Sequence, residues 1–307
     1  MSMMKNVKGR DFLSIRDYTP KELSHYLDTA MDMKQDPSMY ENALEGKNLA
    51  MIFQKPSLRT RMSFEVGMNQ LGGQAQFIGP DEIQLGKREA VKDVAAVLSR
   101  YVDGIMARVF AHDDVIELAE HADIPVINGL SDLLHPCQGM ADFLTMSERF
   151  GSLKGLKLCY VGDGNNVCHS LMYGSAKFGA DMTVACPKGY EPNMDILDDV
   201  SGMGLKVPLF NDPMEAAVDA DVIYTDTWVS MGQEKEGSVR INDFSGFQVN
   251  KQLVDVASED CIVMHCLPAH RNVEISDEVM DGPRSAIFDQ AENRLHAQKA
   301  IMAMNIG

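Results

Sequence analysis

Phe53-Gln-Lys-Pro-Ser-Leu-Arg-Thr-Arg-Met-Ser-Phe-Glu65 is the stretch that decides the fold. The apolar run that leads into it, Leu49-Ala-Met-Ile-Phe53, is typical of a buried parallel strand, and the apolar spacing after it is typical of a helix with one buried face. A strand that runs into a helix N-terminus leaves backbone N–H groups pointing outward, with the positive end of the helix dipole behind them. Hydroxyl side chains and two arginines, Arg59 and Arg61, lie at this junction. The stretch therefore predicts a cradle for a doubly charged phosphate; the alternative is a capped helix start with surface arginines.

The composition limits the class of protein. A chain of 307 residues is long for a single core, so two domains are expected. Its 45% apolar and 24% charged residues are ordinary for a globular protein. The net charge of −17 argues against nucleic acid as a partner, because that binding depends on clustered lysine and arginine. An anionic substrate must therefore be captured locally, against the mean field of the protein.

Targeting and redox signals are weak in this sequence. The N-terminus lacks the apolar core of a secretory signal, and no run approaches the ~18 apolar residues that a membrane helix needs. The six cysteines form no CxxC pair and show no metal-like spacing with histidine. We therefore predict a reduced, cytoplasmic protein without a membrane partner.

Short apolar runs alternate with amphipathic helical stretches along the whole chain, which predicts parallel sheets covered by helices on both faces. The alternation pauses after a helix-like stretch at 141–149, restarts with a strand at 156–161, and ends with a strand at 286–288 and a final helix. We therefore predict an α/β fold of two doubly wound domains, each a parallel sheet flanked by helices, joined by interdomain helices. The predicted ranges are 1–134 completed by a C-terminal helix at 292–307, a connecting helix at 135–150, and a second domain at 151–291.

Candidate site residues fall where the strands of the first half end. Ligands of open parallel sheets bind beyond the carboxyl ends of the strands. The phosphate cradle, Arg108 after one strand and His135 after another all lie at that edge. We expect these side chains to share one site.

Gly162-Asp-Gly-Asn-Asn166 follows a predicted strand of the second half and matches a dinucleotide-binding turn only in part. The third glycine is missing, and the next strand ends in Ala185-Cys-Pro-Lys188 without the acidic residue that binds a ribose. The two asparagines at the helix start offer hydrogen bonds to a zwitterionic ligand, and plain N-capping is the alternative.

Four motifs occur in order along the chain: Ser57-Leu-Arg-Thr-Arg61, His135-Pro-Cys-Gln138, Asp226-Thr-Trp-Val-Ser-Met-Gly232 and His265-Cys-Leu-Pro268. Together they resemble the aspartate/ornithine carbamoyltransferase family, and within it the members that act on ornithine. The resemblance extends from about residue 10 to the C-terminus. The resemblance implies transfer of the carbamoyl group of carbamoyl phosphate to the side-chain amine of L-ornithine, giving citrulline and phosphate. It also implies that no metal or organic cofactor is used.

The resemblance assigns residues to the two substrates. It implies a carbamoyl phosphate site, mostly in the domain at 1–134, made of Ser57, Leu58, Arg59, Thr60, Gln84, Arg108, His135, Gln138, Cys266, Leu267 and Arg294. It implies an ornithine site in the domain at 151–291 made of Asn166, Asp226, Ser230 and Met231. Leu58 stands where threonine is commoner in the family, but this position is expected to offer mainly its backbone N–H.

The residue types of the catalytic set, Arg59, His135, Asp226 and Cys266, fit the reaction. The amine attacks a carbonyl carbon and gives a tetrahedral oxyanion that expels phosphate, and Arg59 and His135 can stabilise that developing charge. Asp226 and Cys266 can orient the amine, which must be neutral to attack although its pKa should resemble the ~10.4 of lysine. Taken alone, Cys266 fits a core thiol better than a catalytic residue, and Asp226 fits a strand-end cap as well as a site residue.

Other acceptors and another class of protein remain as alternatives. The nearest alternative acceptor is putrescine or an acylated ornithine. The Ser230-Met-Gly232 and His265-Cys-Leu-Pro268 motifs favour plain ornithine over both. Aspartate is disfavoured because the chain reads Cys266-Leu267 and has an acidic side chain at Asp226. A catalytically silent paralogue is disfavoured because every expected polar position is filled. The residues do not distinguish a biosynthetic from a catabolic role.

Two expectations concern assembly and motion. Gln84, in a polar loop with Lys87 and Arg88, matches a position that the family supplies from a neighbouring subunit. We therefore expect a homo-oligomer, a trimer or a multiple of trimers, in which Gln84 reaches a neighbour's site. The glycine-containing loop at 228–245 is expected to be a mobile lid that closes over ornithine after carbamoyl phosphate has bound.

Overall fold

A computed structural model of the chain describes residues 7–230, 232 and 234–307. The chain divides into two compact units, the first Met1–Leu144 with Asn293–Gly307 and the second Thr145–Glu292. It passes from one unit to the other within two helices, Pro136–Phe150 and Ile287–Asn305. Within the described ranges, none of the helices combines the length and the apolar content needed to span a bilayer.

A four-stranded parallel sheet forms the centre of the first unit. Its strands, in the spatial order β2-β1-β3-β4, are β1 (Asn48–Phe53), β2 (Gln74–Ile78), β3 (Gly104–Arg108) and β4 (Val126–Leu130). The helices of this part of the chain are α1 (Pro20–Gln35), α2 (Leu58–Gln70), α3 (Pro80–Ile83), α4 (Val91–Leu98), α5 (His112–His121) and α6 (Pro136–Phe150), with 3-10 turns at Ile15–Asp17 and Pro37–Tyr40. Phe53 and Arg108 are register partners at the ends of β1 and β3. The start of the cradle stretch and Arg108 therefore leave the sheet side by side.

A five-stranded parallel sheet forms the centre of the second unit. Its strands, in the spatial order β7-β6-β5-β8-β9, are β5 (Lys157–Val161), β6 (Asp181–Ala185), β7 (Leu209–Phe210), β8 (Val222–Thr225) and β9 (Ile262–His265). The helices of this part of the chain are α7 (Asn166–Phe178), α8 (Met194–Gly202), α9 (Pro213–Ala216), α10 (Gly237–Asp243), α11 (Lys251–Asp255) and α12 (Asp277–Met280), with a 3-10 turn at Glu234–Glu236. The last helix, α13 (Ile287–Asn305), begins in the second unit and belongs to the first unit from Asn293 onward. Because β5, β8 and β9 are neighbours, the turns that follow them meet at one edge of the sheet. The two parallel sheets and their helices confirm the predicted fold class.

The connecting helix predicted at 135–150 is α6, which begins at Pro136, directly after His135, because proline is well suited to the first helical position. Two other local predictions differ from the structure. The strand predicted at 286–288 is wrong: Ser285 forms only an isolated bridge with Val263, and Ile287 opens α13. A three-residue apolar run fits a strand or a buried helix start equally well. The loop predicted at 228–245 contains the helix α10.

Candidate functional site

The N-terminus of α2 separates the two arginines of the cradle stretch. Ser57 caps the helix, and its Oγ accepts a hydrogen bond from the Thr60 N–H at 3.2 Å. Arg59 is half-buried. Arg61 instead donates to Glu65 at 3.2 Å and lies over the ring of Phe77, 4.1 Å from its centroid. Arg59 therefore remains a candidate for the predicted cradle, whereas Arg61 takes the surface role that the alternative interpretation assigned to it.

Three arginines act on one buried histidine, which precedes the first residue of α6. Burial lowers the pKa of His135 well below its ordinary value of 6.5, and the charges of Arg294, Arg108 and Arg59 lower it further. His135, Arg108 and Arg294 are each at most 5% exposed. We call these four residues the anion cluster. In a chain with a net charge of −17, a neutral imidazole among three guanidinium groups is suited to bind an anion with a polar carbonyl attached.

A buried polar network holds Arg294 in place. Its Nη1 donates to Gln138 Oε1 at 2.8 Å, and its Nη2 lies 3.4 Å from Thr60 Oγ1. The amide of Gln138 donates in turn to Asp142 Oδ1 at 2.8 Å. Residues from α2, α6 and α13 are thus joined, and Thr60, Gln138 and Arg294 lie together as the family resemblance implies.

Gln298 links two members of the anion cluster and was not predicted. Its Oε1 accepts from Arg294 Nε at 2.8 Å, and its Nε2 donates to Ser63 Oγ at 2.7 Å. The Ser63 hydroxyl donates to the backbone carbonyl of Arg59. A sequence signal for these partners does exist, because Ser63, Asp142 and Gln298 each follow a predicted site residue by four positions, which is one turn along the same helix face.

Gln84 lies on an exposed loop and not in the buried network. It ends α3 with a φ of 48°, and its carbonyl accepts from the Lys87 N–H at 2.8 Å. The loop borders a cleft of about 590 Å³, whose lining includes Gln54 and Phe110. Gln84 has a left-handed backbone conformation and also lines this cleft.

Asp226 is the centre of the polar edge of the second unit. It follows β8, is 6% exposed, and accepts from the Thr227 N–H at 2.7 Å and from Cys266 Sγ at 2.9 Å through Oδ1. Its Oδ2 accepts from Asn165 Nδ2 at 2.7 Å. We call these four residues the Asp226 cluster. A carboxylate offers about four acceptor positions, so three contacts leave room for about one more donor.

The two adjacent asparagines have different roles in the structure. Asn165 caps α7, with its Oδ1 accepting from the Val167 N–H at 2.9 Å, while its amide binds Asp226. Asn166, the predicted ornithine ligand, is the first residue of α7 and is half-buried. Capping was one of the two roles that the sequence suggested for these asparagines, but the hydrogen bond from Asn165 to Asp226 was not predicted.

Gly164 serves backbone packing in the same turn. Its N–H donates to the Tyr190 carbonyl at 2.8 Å, and a Cβ atom there would lie 2.2 Å from the Pro192 nitrogen. The position therefore requires glycine for close approach of two backbone segments.

The remaining predicted residues of this unit lie on the turns after β8 and β9. Ser230 is half-buried, and Met231 lies outside the described residues. Leu267 is half-buried with a φ of 60°. Cys266 is half-exposed, whereas the other cysteines are buried, and burial raises the pKa of Cys137, Cys159 and Cys186 to about 12.

An ion pair joins the turn after β5 to the 228–245 loop. Arg240 donates to Asp163 at 2.8 Å and to the Trp228 carbonyl at 3.1 Å, and both charged side chains are largely buried. Burial raises the pKa of Asp163, while its hydrogen bond with Arg240 lowers it. The pair connects the segment before Asn166 with the segment before Ser230.

Asp226, His265 and Cys266 place metal-ligand atoms within 4.8 Å of one another. Both ring nitrogens of His265 are engaged, however: Nδ1 accepts from the Leu267 N–H at 2.8 Å, and Nε2 lies 3.2 Å from Glu274. An imidazole needs a free nitrogen lone pair to ligate a metal, so this arrangement does not present a metal site.

The fold and the two clusters correspond to a two-domain carbamoyltransferase, and comparison with known proteins identifies the family. The carbamoyl phosphate binding domain of the aspartate/ornithine carbamoyltransferases matches residues 10–148, and their aspartate/ornithine binding domain matches residues 154–305. The chain belongs to the aspartate/ornithine carbamoyltransferase family.

Within the family, the chain is similar to ornithine carbamoyltransferases. The protein of that name from Pyrococcus horikoshii is 54% identical, over 99% of this chain and 98% of its own. The one from Carboxydothermus hydrogenoformans is 52% identical, over 99% of this chain and its full length. The solved structure of the Pyrococcus furiosus ornithine carbamoyltransferase is 53% identical, covers 98% of each chain and superposes with a TM-score of 0.94. These similarities confirm the predicted family and its carbamoyltransferase class.

Proposed function

We propose that the protein transfers the carbamoyl group of carbamoyl phosphate to the side-chain amine of L-ornithine, giving L-citrulline and phosphate. The observation that supports this most is the anion cluster, in which Arg59, Arg108 and Arg294 converge on a neutral His135. The related Pyrococcus furiosus enzyme is named anabolic, and we propose the same direction here.

The first unit binds carbamoyl phosphate in this proposal. The phosphate takes the exposed N–H groups of the α2 N-terminus, including that of Leu58, whose side chain is 73% exposed. Ser57 accepts from Thr60 through its oxygen, so its own hydroxyl proton is available to a phosphate oxygen. Arg59 and Arg108 supply the countercharge.

The carbamoyl group lies against His135, Gln138 and Arg294. His135 is neutral because its pKa is depressed, so one ring N–H can donate to the carbonyl oxygen without adding a charge to the cluster. Arg59 and Arg294 then stabilise the negative charge that develops on that oxygen as the amine attacks. Expulsion of phosphate from the tetrahedral intermediate restores the carbonyl.

The second unit binds ornithine. Asp226 accepts one N–H of the substrate amine in its remaining acceptor position, beside Cys266 and Leu267. Asn166, Ser230 and Met231 contact the rest of the amino acid. Asn165 joins this set as a positioning residue, because its amide orients the Asp226 carboxylate. The amine loses a proton as it attacks, and the departing phosphate is a competent acceptor for it.

The choice of acceptor is tested by comparing kcat/KM for ornithine, putrescine, N-acetylornithine and aspartate with carbamoyl phosphate held saturating. We expect ornithine to exceed each of the others by at least ~10²-fold, because a site built around buried polar groups rejects ligands that leave those groups unpaired. A higher value for putrescine or N-acetylornithine would replace the proposed acceptor, and no turnover with any of them would favour the silent paralogue.

We further propose a closed homo-oligomeric ring, a trimer or a multiple of trimers, in which Gln84 completes the neighbouring subunit's site. The exposure of Gln84 on the loop after α3 supports this role, and a head-to-tail ring would place the same loop at every interface. Arg59→Ala and Gln84→Ala rings should each be weak. Rings refolded from a mixture of both should regain activity, because some sites then contain both intact residues.

Mixed rings that show only the average activity of the two parents would place Gln84 in the site of its own chain.

A reducing, cytoplasmic location is part of the same proposal and is supported by six free cysteines. The 228–245 lid remains a prediction.

A further inference from the structure

Glu274 is a buried carboxylate that the proposed reaction does not use. It is fully buried, as is His265. Its Oε1 lies 3.2 Å from His265 Nε2 and also accepts from the backbone N–H of His270. A buried charge is costly unless hydrogen bonds compensate it, and both of these bonds go to one turn, residues 265–270.

The hydrogen bonds of His265 determine which of its nitrogens carries the proton. Nδ1 accepts from the Leu267 N–H at 2.8 Å, so Nδ1 has no hydrogen. The proton of the neutral ring is therefore on Nε2, which donates to Glu274. The imidazole thus connects Glu274 to the backbone of Leu267, which adopts the left-handed φ of 60° that bulky residues avoid.

A second arm runs from Glu274 through His270 to the turn after β8. Thr227 Oγ1 donates to the Val229 carbonyl at 3.1 Å, so it must accept from His270 Nδ1, also at 3.1 Å. The same His270 nitrogen lies 3.6 Å from Glu274 Oε2, beyond hydrogen-bond distance, and this oxygen has no hydrogen-bond partner among the described residues. The hydrogen bond between the two residues is the one from the His270 backbone N–H to Glu274 Oε1. One carboxylate is therefore connected to both turns that supply the Asp226 cluster.

We propose that Glu274 is a positioning residue for ornithine transfer, acting through His265 and His270 to set the contact between Cys266 and Asp226. This contact, 2.9 Å from sulfur to oxygen, joins the two turns that Glu274 supports. The inference rests on the proposed ornithine role of Asp226 and Cys266. Misplacing a substrate-orienting group by about 1 Å can cost ~10²-fold in rate, so loss of the support should reach catalysis.

Two substitutions of Glu274 separate its acceptor role from its charge. Glu274→Gln retains an oxygen acceptor for His265 and His270, so kcat/KM for ornithine should stay within about 5-fold of the parent value. Glu274→Leu removes the acceptor, and kcat/KM for ornithine should fall by ~10–10²-fold while KM for carbamoyl phosphate changes less than about 2-fold. A general loss of folded protein would instead lower kcat/KM for both substrates by the same factor.

Cys266 provides a readout that does not depend on ornithine. It is the half-exposed cysteine of six, so the alkylation rate with iodoacetamide reports on this position. Glu274→Leu should accelerate alkylation at least ~5-fold, since the thiol no longer donates to a fixed Asp226, whereas Glu274→Gln should not. Tyr173→Phe is the control, because it removes a hydrogen bond to Asp199 between α7 and α8 of the same unit. It should change neither reading.

Thr227→Val removes the contact between Thr227 and His270 and leaves Glu274 in place. It therefore tests the positioning role even if Glu274→Leu does not fold. It should also accelerate alkylation of Cys266 and raise KM for ornithine. Alkylation rates equal to the control in every folded variant would overturn the positioning role. Faster alkylation with unchanged ornithine kinetics would support the role of Glu274 and overturn instead the assignment of Asp226 and Cys266 to ornithine.

Discussion

The anion cluster of the first unit and the Asp226 cluster of the second are opposite in charge and are built differently. The first uses three arginines, and its residues lie on or next to α2, β3, α6 and α13, held by a buried network through Gln138 and Gln298. The second centres on one carboxylate and lies largely on the turns that follow strands, held by Asn165 and Cys266.

The difference follows from the field of the protein. A net charge of −17 repels a doubly charged phosphate and attracts an ammonium group. An anion therefore needs several charges fixed in place before it arrives, and rigid helices can fix them. A cation needs only one well-oriented carboxylate. The two clusters should therefore respond differently when single residues are changed.

The largest expected effect is the loss of Arg59. Arg59→Ala should lower kcat by at least ~10²-fold, because a fixed charge that stabilises the transition state is removed. Arg61→Ala is the matched control on the same helix turn, since Arg61 is engaged with Glu65 and Phe77, and its kcat should stay within a few-fold. Steady-state kinetics with both substrates varied distinguishes them. A normal kcat with only a raised KM for carbamoyl phosphate would limit Arg59 to binding.

Asp226→Asn should affect ornithine and spare carbamoyl phosphate. The substitution keeps the size of the side chain but removes its charge, so kcat/KM for ornithine should fall by ~10–10²-fold. The dissociation constant of carbamoyl phosphate, measured by calorimetry without ornithine, should be unchanged. Equal weakening of both substrates would contradict the separation of roles.

Gln298→Leu tests whether the buried network of the first unit keeps the anion cluster in position for binding. It leaves the Arg294 Nε and Ser63 Oγ contacts unmade, so we expect a loss of ~1–3 kcal/mol in the free energy of unfolding. KM for carbamoyl phosphate should rise by ~10-fold, because Arg294 is less well oriented. Urea unfolding and initial rates provide the two measurements. Lower stability without a change in KM would make Gln298 structural only.

The smallest effect concerns the protonation of His135. Its pKa in the folded protein lies well below the ordinary 6.5, so the unfolded chain takes up the proton first as the pH falls. This contribution to stability is complete above pH 6.5 and is lost below it, by at most ~1.4 kcal/mol per pH unit.

Urea unfolding of the parent and His135→Gln at pH 7.5, 6.5 and 5.5 checks this prediction. The parent should lose more stability than the variant below pH 6.5. His112, whose pKa burial also lowers, is present in both proteins, so the difference isolates His135. If the free energy of unfolding depends on pH identically in the parent and the variant, the pKa of His135 is not lowered in the folded protein.

Local patterns predicted the strands and helices that carry both clusters, and they failed where a pattern was short or fitted two kinds of structure. The strand β1 and the cap at Ser57 were predicted correctly, because both are properties of neighbouring residues. The predicted strand at 286–288 was wrong, since three apolar residues also suit the start of α13. The sequence did not distinguish Arg61 from Arg59, whereas the structure shows that Arg61 contacts Phe77 and Glu65.

The sequence by itself determined the α/β class, the strand ends that bear the predicted site residues, and, through four motifs in order, the family. These features depend on hydrophobic period, capping and spacing, which are local. Only the tertiary structure decided that Gln298 joins Arg294 to the α2 turn, and that Asn165 rather than Asn166 binds Asp226. Only it decided that Glu274 supports both turns of the second cluster. These contacts depend on how strands and helices pack together, and the burial that makes each hydrogen bond matter exists only once the chain has folded.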